Sequence, residues 1–304
     1  MQGHLEVWAV GGGKGGTGKS FVAGSIAFCL ADMGKRVVLL DADLGGANLH
    51  SFVGIKRPDL TIGEFFERGV DLQDLVMETG YENLSIISGD LQSLDSDGIK
   101  YTQKLKLFRH VRMLDADYVI IDLGAGTHNN TIDTFLLADR NIVVTIPAIT
   151  ALENLYQFIK NVYYRKLKMS LGKRGKKDAV VQAWKNRQRH GIRNLRDLTQ
   201  HLRGASPDME EFFRHEVDPF RVSLALNQIR HSQDVHLGFS IKSVVRKYLG
   251  LNAEYAGYVR FDELILKSLN SGRPFYQTYR NNRSAREIES LTLNIMQGRQ
   301  VREV

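Results

Sequence analysis

The chain has 304 residues, 43% of them hydrophobic and 25% charged, which is a globular balance with material for a sizeable core. This composition excludes a disordered tail, a collagen and a disulfide-stapled mini-protein. The net charge of +7 is unevenly spread: residues 159–204 hold 14 Lys or Arg against Asp178 and Asp197, so that segment carries +12 and the remainder −5. The single cysteine, Cys29, can supply neither an internal disulfide nor a multi-thiolate metal site. With no apolar run of membrane-spanning length and no signal-peptide pattern over residues 1–6, the expected location is the cytoplasm.

Short β-branched runs alternate with helix-like stretches. Strands are expected at 7–10, 36–40, 84–87, 118–121, 141–146 and 222–226. The first helix opens at Lys19, carries Val22, Ile26, Cys29, Leu30 and Met33 at helical spacing, and closes at Gly34. Further helices are expected at 102–113, 151–168, 235–249, 262–269 and 284–296. The run 118–121 is apolar without alternation, as in a strand buried on both faces. The fold class is therefore α/β: a mostly parallel, doubly wound sheet with helices on both faces. Between residues 151 and 222 a crossover that needs about a dozen residues has roughly seventy. The chain is read as one domain, 1–304, with a basic, helical insertion at 169–220. Flexible joints are expected at 170–175 and 204–207.

Residues 13–20 read G-K-G-G-T-G-K-S, fitting G-x-x-x-x-G-K-[ST] between an expected strand and an expected helix. Gly13, Gly15, Gly16 and Gly18, with Lys14 and Thr17 between them, let backbone N–H groups turn around phosphate oxygens. The helix N-terminus adds a favourable field. Lys19 reaches the β- and γ-phosphates, Ser20 offers a hydroxyl to Mg²⁺, and Phe21 completes the nucleotide-contacting run. A phosphate–Mg²⁺ site also needs carboxylates at the carboxyl edge of the sheet. Asp41 and Asp43 follow one strand and Asp122 another. Their rival use is capping of turns. Asp122 takes the Walker-B position, and Gly124-Ala125-Gly126 behind it can approach the γ-phosphate.

Through Lys14 in K-G-G-T-G-K-S and the segment G-K-R-V-V-L-L-D-A-D at 34–43, the chain resembles the MinD/ParA ATPases with a deviant Walker A motif. Residues 41–49, D-A-D-L-G-G-A-N-L, make it similar to the MinD-like group that includes FlhG/FleN. The likeness spans about residues 6–153 and 222–296. It implies a P-loop fold, ATP and Mg²⁺ as cofactors, and a homodimer that sandwiches ATP. Lys14 then neutralises phosphate charge in the partner's site, as an arginine finger does. Asp43 orients the lytic water, Asp41 and Asp122 hold Mg²⁺ through its waters, and Asn227 contacts adenine. Asn227 also reads as a strand-end turn residue. Two departures stand out: Arg260 replaces a proline beside the base, and His50 occupies a usually acidic position.

The implied function is ATP hydrolysis used to position or regulate a cellular structure such as a chromosome, a flagellum or other polar machinery. Two rival classes stay open: a small-molecule phosphotransferase or ligase, and a nucleotide-gated nonspecific DNA-binding protein. Iron–sulfur carriage needs paired cysteines and is excluded. The basic stretch 159–204, with Tyr163, Tyr164 and Trp184 among its cations, fits DNA, an acidic protein partner or a solvated surface. Membrane contact through Ile288, Leu291 and Ile295 is the poorer reading of a stripe better suited to core packing.

Overall fold

The computed structural model describes residues 5–43, 49–55, 58, 60–89 and 101–303. The segment 44–48, part of the stretch that carries the family resemblance, lies outside the described residues. In chain order the elements are β1 (Glu6–Gly11), α1 (Lys19–Asp32), β2 (Val37–Ala42), α2 (Leu49–Phe52), α3 (Ile62–Glu67), β3 (Met77–Glu78), β4 (Leu84–Ile87), α4 (Tyr101–Val111), β5 (Tyr118–Leu123), α5 (Asn129–Leu137) and β6 (Arg140–Thr145). Then come α6 (Ile149–Gly172), α7 (Lys177–Lys185), α8 (Leu195–Arg203), α9 (Pro207–Phe212), β7 (Arg221–Ile229), α10 (Leu237–Leu249), β8 (Asn252–Arg260), α11 (Glu263–Ser271), α12 (Phe275–Thr278) and α13 (Arg283–Gln297).

One eight-stranded sheet runs β3-β4-β2-β5-β1-β6-β7-β8. Every pairing is parallel except β3 with β4. Helices cover both faces, as a parallel sheet requires. On one side α1 and α13 pack with the inward residues Trp8, Val10, Leu39 and Ile120. On the other, α4, α5, α6 and α10 bury Val7, Ala9, Leu40 and Val119. Helix α1 is buried almost all round, which explains its nearly uniform apolar sequence. Ile288, Leu291 and Ile295 of α13 lie in this core, so the C-terminal stripe is used for packing. Cys29 is fully buried too, and burial raises its thiol pKa.

Two expectations are corrected by α6. It runs from Ile149 to Gly172, not 151–168, and it passes straight through the first part of the expected joint. Leu167, Ser170 and Leu171 are buried, so packing against the inserted helices continues the helix where composition suggested a hinge. At the second expected joint Ser206 caps α9 by accepting a hydrogen bond from the Met209 amide, with Pro207 at the first helical position. Strands β3 and β8 and helices α2, α3, α5 and α12 were not foreseen. Among the described residues no helix is long and apolar enough to cross a membrane.

Candidate functional site

The phosphate loop leaves β1 so tightly against its neighbours that side chains are excluded. A Cβ on Gly13 would sit 2.1 Å from the Asn154 carbonyl oxygen of α6. Gly18 has φ of 83°, a left-handed conformation, and a Cβ there would meet Asn227 Nδ2 at 2.2 Å. Gly18 supplies no side-chain cap for α1, so the first-turn amides remain available to an anion. Lys19 is 8% exposed, and its Nζ donates to the Lys14 carbonyl at 3.3 Å. Burial lowers its pKa, opposed by the nearby charges of Asp122 and Asp43. Thr17, also buried, donates to the same carbonyl at 3.4 Å.

The carboxylates meet this loop from adjoining strands. Asp41 and Asp122 are register partners across β2 and β5. Asp41 accepts the amides of Asp43 at 3.0 Å and Leu49 at 3.1 Å, fastening the chain that leaves β2. Asp122 is 3% exposed, and its Oδ1 has no hydrogen-bond partner among the described residues. Burial pushes its pKa up to about 7, with the Ser20 hydrogen bond opposing and the Asp41 charge reinforcing the shift. Asp43 lies against the loop after β5: a Cβ on Gly124 would come within 2.9 Å of Asp43 Oδ1. The Gly126 amide reaches the Gly12 carbonyl at 3.4 Å, which joins that loop to the phosphate loop.

These donors fit Mg²⁺. The set consists of hard oxygens, and a buried carboxylate oxygen without a partner, held close to its neutral form, is what a divalent cation would satisfy. No cluster of three or more His, Cys, Asp or Glu suited to a metal occurs among the described residues. The protein therefore offers part of a coordination shell, to be completed by phosphates and water.

On the far side of Gly18 a cleft is lined by Phe21, Asn227, Gln228, Phe261 and Leu266. Asn227 is buried, and its Nδ2 donates to the Thr17 carbonyl at 3.0 Å. Gln228, with φ of 56°, reaches the Gly16 carbonyl at 3.3 Å. The Arg230 guanidinium covers the Phe261 ring at 3.7 Å. Arg260, the residue standing where the resemblance has proline, turns to Glu287 through both its backbone amide and its guanidinium. A largely apolar slot with amide edges suits a planar heterocycle. His50 lies on α2, its Nδ1 buried without a partner among the described residues.

Lys14 stands apart from the buried set. Its Nζ donates to Thr150 Oγ1 at 2.8 Å in an exposed contact on the first turn of α6. Ile149 beside it is 78% exposed. The Thr150 and Asn154 contacts join the loop to a helix about 140 residues away in sequence, and no motif announces them.

The basic stretch divides in two. Arg165 holds Asp133 of α5 through Nε at 2.7 Å, and Lys104 of α4 lies 3.5 Å from the same carboxylate, a triad around the buried Asp133 linking three helices. Arg203 pairs with Glu210 and Asp218. Tyr163, expected as a possible stacking residue, is 2% exposed with Thr199 as its hydrogen-bond partner, so it is a core side chain. Tyr164 and Trp184 pack together with centroids 6.1 Å apart. Other cations, described below, face solvent.

Comparison with known proteins agrees with this architecture. Residues 5–170 match the ParA family model described as a NUBPL iron-transfer P-loop NTPase. The chain is 30% identical over 158 residues to the antiactivator FleN of Pseudomonas aeruginosa, covering 51% of this chain and 56% of FleN. It is 33% identical over 144 residues to the septum site-determining protein MinD of Helicobacter pylori, covering 47% of this chain and 53% of that protein. The matched stretch thus spans about half the length of these relatives. The structure of MinD from Pyrococcus horikoshii complexed with Mg-ADP superposes with a TM-score of 0.62 at 19% identity, covering 96% of each chain, a likeness of fold.

Proposed function

The chain belongs to the ParA family of P-loop NTPases, and from that membership we propose that it is an ATP-dependent switch. It is a monomer when empty or holding ADP. Two copies close over ATP and hydrolyse it, and the cycle positions or regulates a cellular structure. The observation that carries this reading is the contrast between two lysines five positions apart. Lys19 is buried among carboxylates, whereas Lys14 lies at the rim, held among the described residues by a neutral hydroxyl. One cation is committed to its own pocket and the other is available to a second copy.

In this reading Lys19 and the loop amides hold the phosphates. Ser20 and Asp122, with Asp41 behind them, would hold Mg²⁺, which offsets phosphate charge. Asp43 orients the attacking water, and Lys14 stabilises developing charge across the dimer. Phe21 and Asn227 border the base. The chain acts as one ATPase unit with a basic insertion at 169–220, which faces DNA or an acidic protein. The names of FleN and MinD, an antiactivator and a septum site-determining protein, support a role in placement or regulation. Iron transfer, named in the family description, finds only the buried Cys29 here.

Sizing the protein with ADP and with ATP tests this. ATP should produce a dimer in the wild type. Lys14→Ala should bind ATP within about threefold of wild type, stay monomeric and lose about 10³-fold or more in turnover, the lower end of what a finger residue contributes. Equal turnover in the two proteins would remove the trans-lysine mechanism.

A further inference from the structure

We infer that Gln228 is a positioning residue of the phosphate loop, kept in a strained conformation because its side-chain amide turns the Gly16–Thr17 peptide toward the bound anion. The inference rests on the reading of this loop as a nucleotide pocket. Among the described residues only Asn83 and Gln228 carry a side chain at positive φ, 60° and 56°. Asparagine tolerates that region because its short amide bonds to nearby backbone. Glutamine lacks this ease, and glycine would adopt the conformation freely. The strain arises at a bulge: from Leu226 to Ile229 β7 takes three steps, whereas β8 takes two from Tyr258 to Arg260. The irregular pair Asn227 and Gln228 bonds to the phosphate loop with both side chains.

The two side chains hold successive carbonyls. Asn227 Nδ2 donates to the Thr17 carbonyl at 3.0 Å, and Gln228 Nε2 donates to the Gly16 carbonyl at 3.3 Å. In a planar trans peptide the N–H points opposite to the C=O, so fixing these oxygens turns the Thr17 and Gly18 amides away from β7. Gly16 and Gly18 flank Thr17 with φ of 76° and 83°, the alternation that gathers successive amides into an anion-binding hollow. The two holds differ in their surroundings. Thr17 and Asn227 are buried, so packing helps to fix the peptide between Thr17 and Gly18. Gly16 is exposed, and a Cβ there would meet nothing within 4 Å, so the Gln228 bond restrains a peptide that packing does not. Gln228 also lines the cleft suited to a heterocycle, where a direct contact with the base is the rival role.

The test is titration of the full chain with a fluorescent ATP analogue and, in competition, with inorganic tripolyphosphate, which has no base. The Tm of the apo protein is measured alongside. Gln228→Gly accepts the same backbone conformation without strain and lacks the amide. Its Tm should equal or exceed that of wild type, while its affinity for both probes falls about threefold to tenfold, the worth of one hydrogen bond. Gln228→Met, of similar length but without a donor, should lose as much affinity. Three results would overturn the assignment: unchanged affinity in both variants, a loss confined to the ATP analogue, or a glycine variant whose Tm falls together with its affinity. Wild-type protein that binds neither probe would remove the nucleotide reading and this assignment with it. Wild-type protein that binds both and stays monomeric in ATP, with the variants weakened as stated, would count against the switch alone.

Discussion

At the phosphate loop the charges are buried: Lys19, Asp41 and Asp122 are all withdrawn from water, one carboxylate oxygen has no partner, and both Lys19 and Asp122 are pushed toward their neutral forms. On α7 and α8 the cations stand in solvent. The first arrangement costs stability until a ligand supplies the missing charge, which makes it responsive to nucleotide and metal. The second costs little and contributes little to folding. The two regions thus use opposite electrostatics, one withdrawn from water around the phosphate loop and the other spread over solvated helices.

The sharpest way to break the first half of this contrast is steric. Gly13→Ala should lower ATP affinity by about 10²-fold or more in a fluorescent-analogue titration, because the new methyl group collides with the fixed Asn154 carbonyl and not with a movable side chain. Near-normal binding would mean that loop and α6 can separate.

A smaller effect should come from pH. Between about pH 4 and pH 7 the unfolded chain gives up the Asp122 proton while the folded apo protein retains it, so this group makes the apo protein less stable as pH rises through that window. Asp122→Asn should therefore raise the Tm of the apo protein at pH 8, with a smaller gain at pH 5. A gain independent of pH would show that the carboxylate is not held neutral.

The smallest expected change concerns Lys14. Thr150→Val removes the hydroxyl that holds its amine, and should lower the ATP concentration for half-maximal dimerisation by about threefold to tenfold, the worth of one hydrogen bond. Thr150→Ser should match wild type. A valine variant that needs more ATP would make Thr150 a helper of assembly instead.

Much of this was legible in the sequence because local chemistry dictates it. The glycine and lysine pattern of residues 13–20 requires a strand–loop–helix, and the apolar runs at 37–42 and 118–123 are strands buried on both faces that deliver Asp41 and Asp122 to one edge. What stayed hidden depends on distant partners. Strand β8 mixes Glu254 and Arg260 with Tyr255 and Val259, since it ends the sheet and its outward positions meet ion-pair partners at Arg221 and Glu287. Helix α5 has no side-chain cap to mark its start at Asn129. The flexible composition at 170–175 misled, because burial of Leu171 outweighs the local cost of glycine at Gly172. Asn227 looked like a base contact or a turn residue, and its bond to Thr17 crosses 210 positions.

Helix α6 touches the phosphate loop at one end and disappears into the insertion at the other, with Arg165 clamped to α5 along the way. Its 24 residues make a rod of about 36 Å. Pivoted near one end, such a rod converts a tilt of about 5° into a sweep of about 3 Å at its tip. A sub-ångström adjustment around the γ-phosphate thus has a mechanical route to the basic helices, with no hinge in between to absorb it.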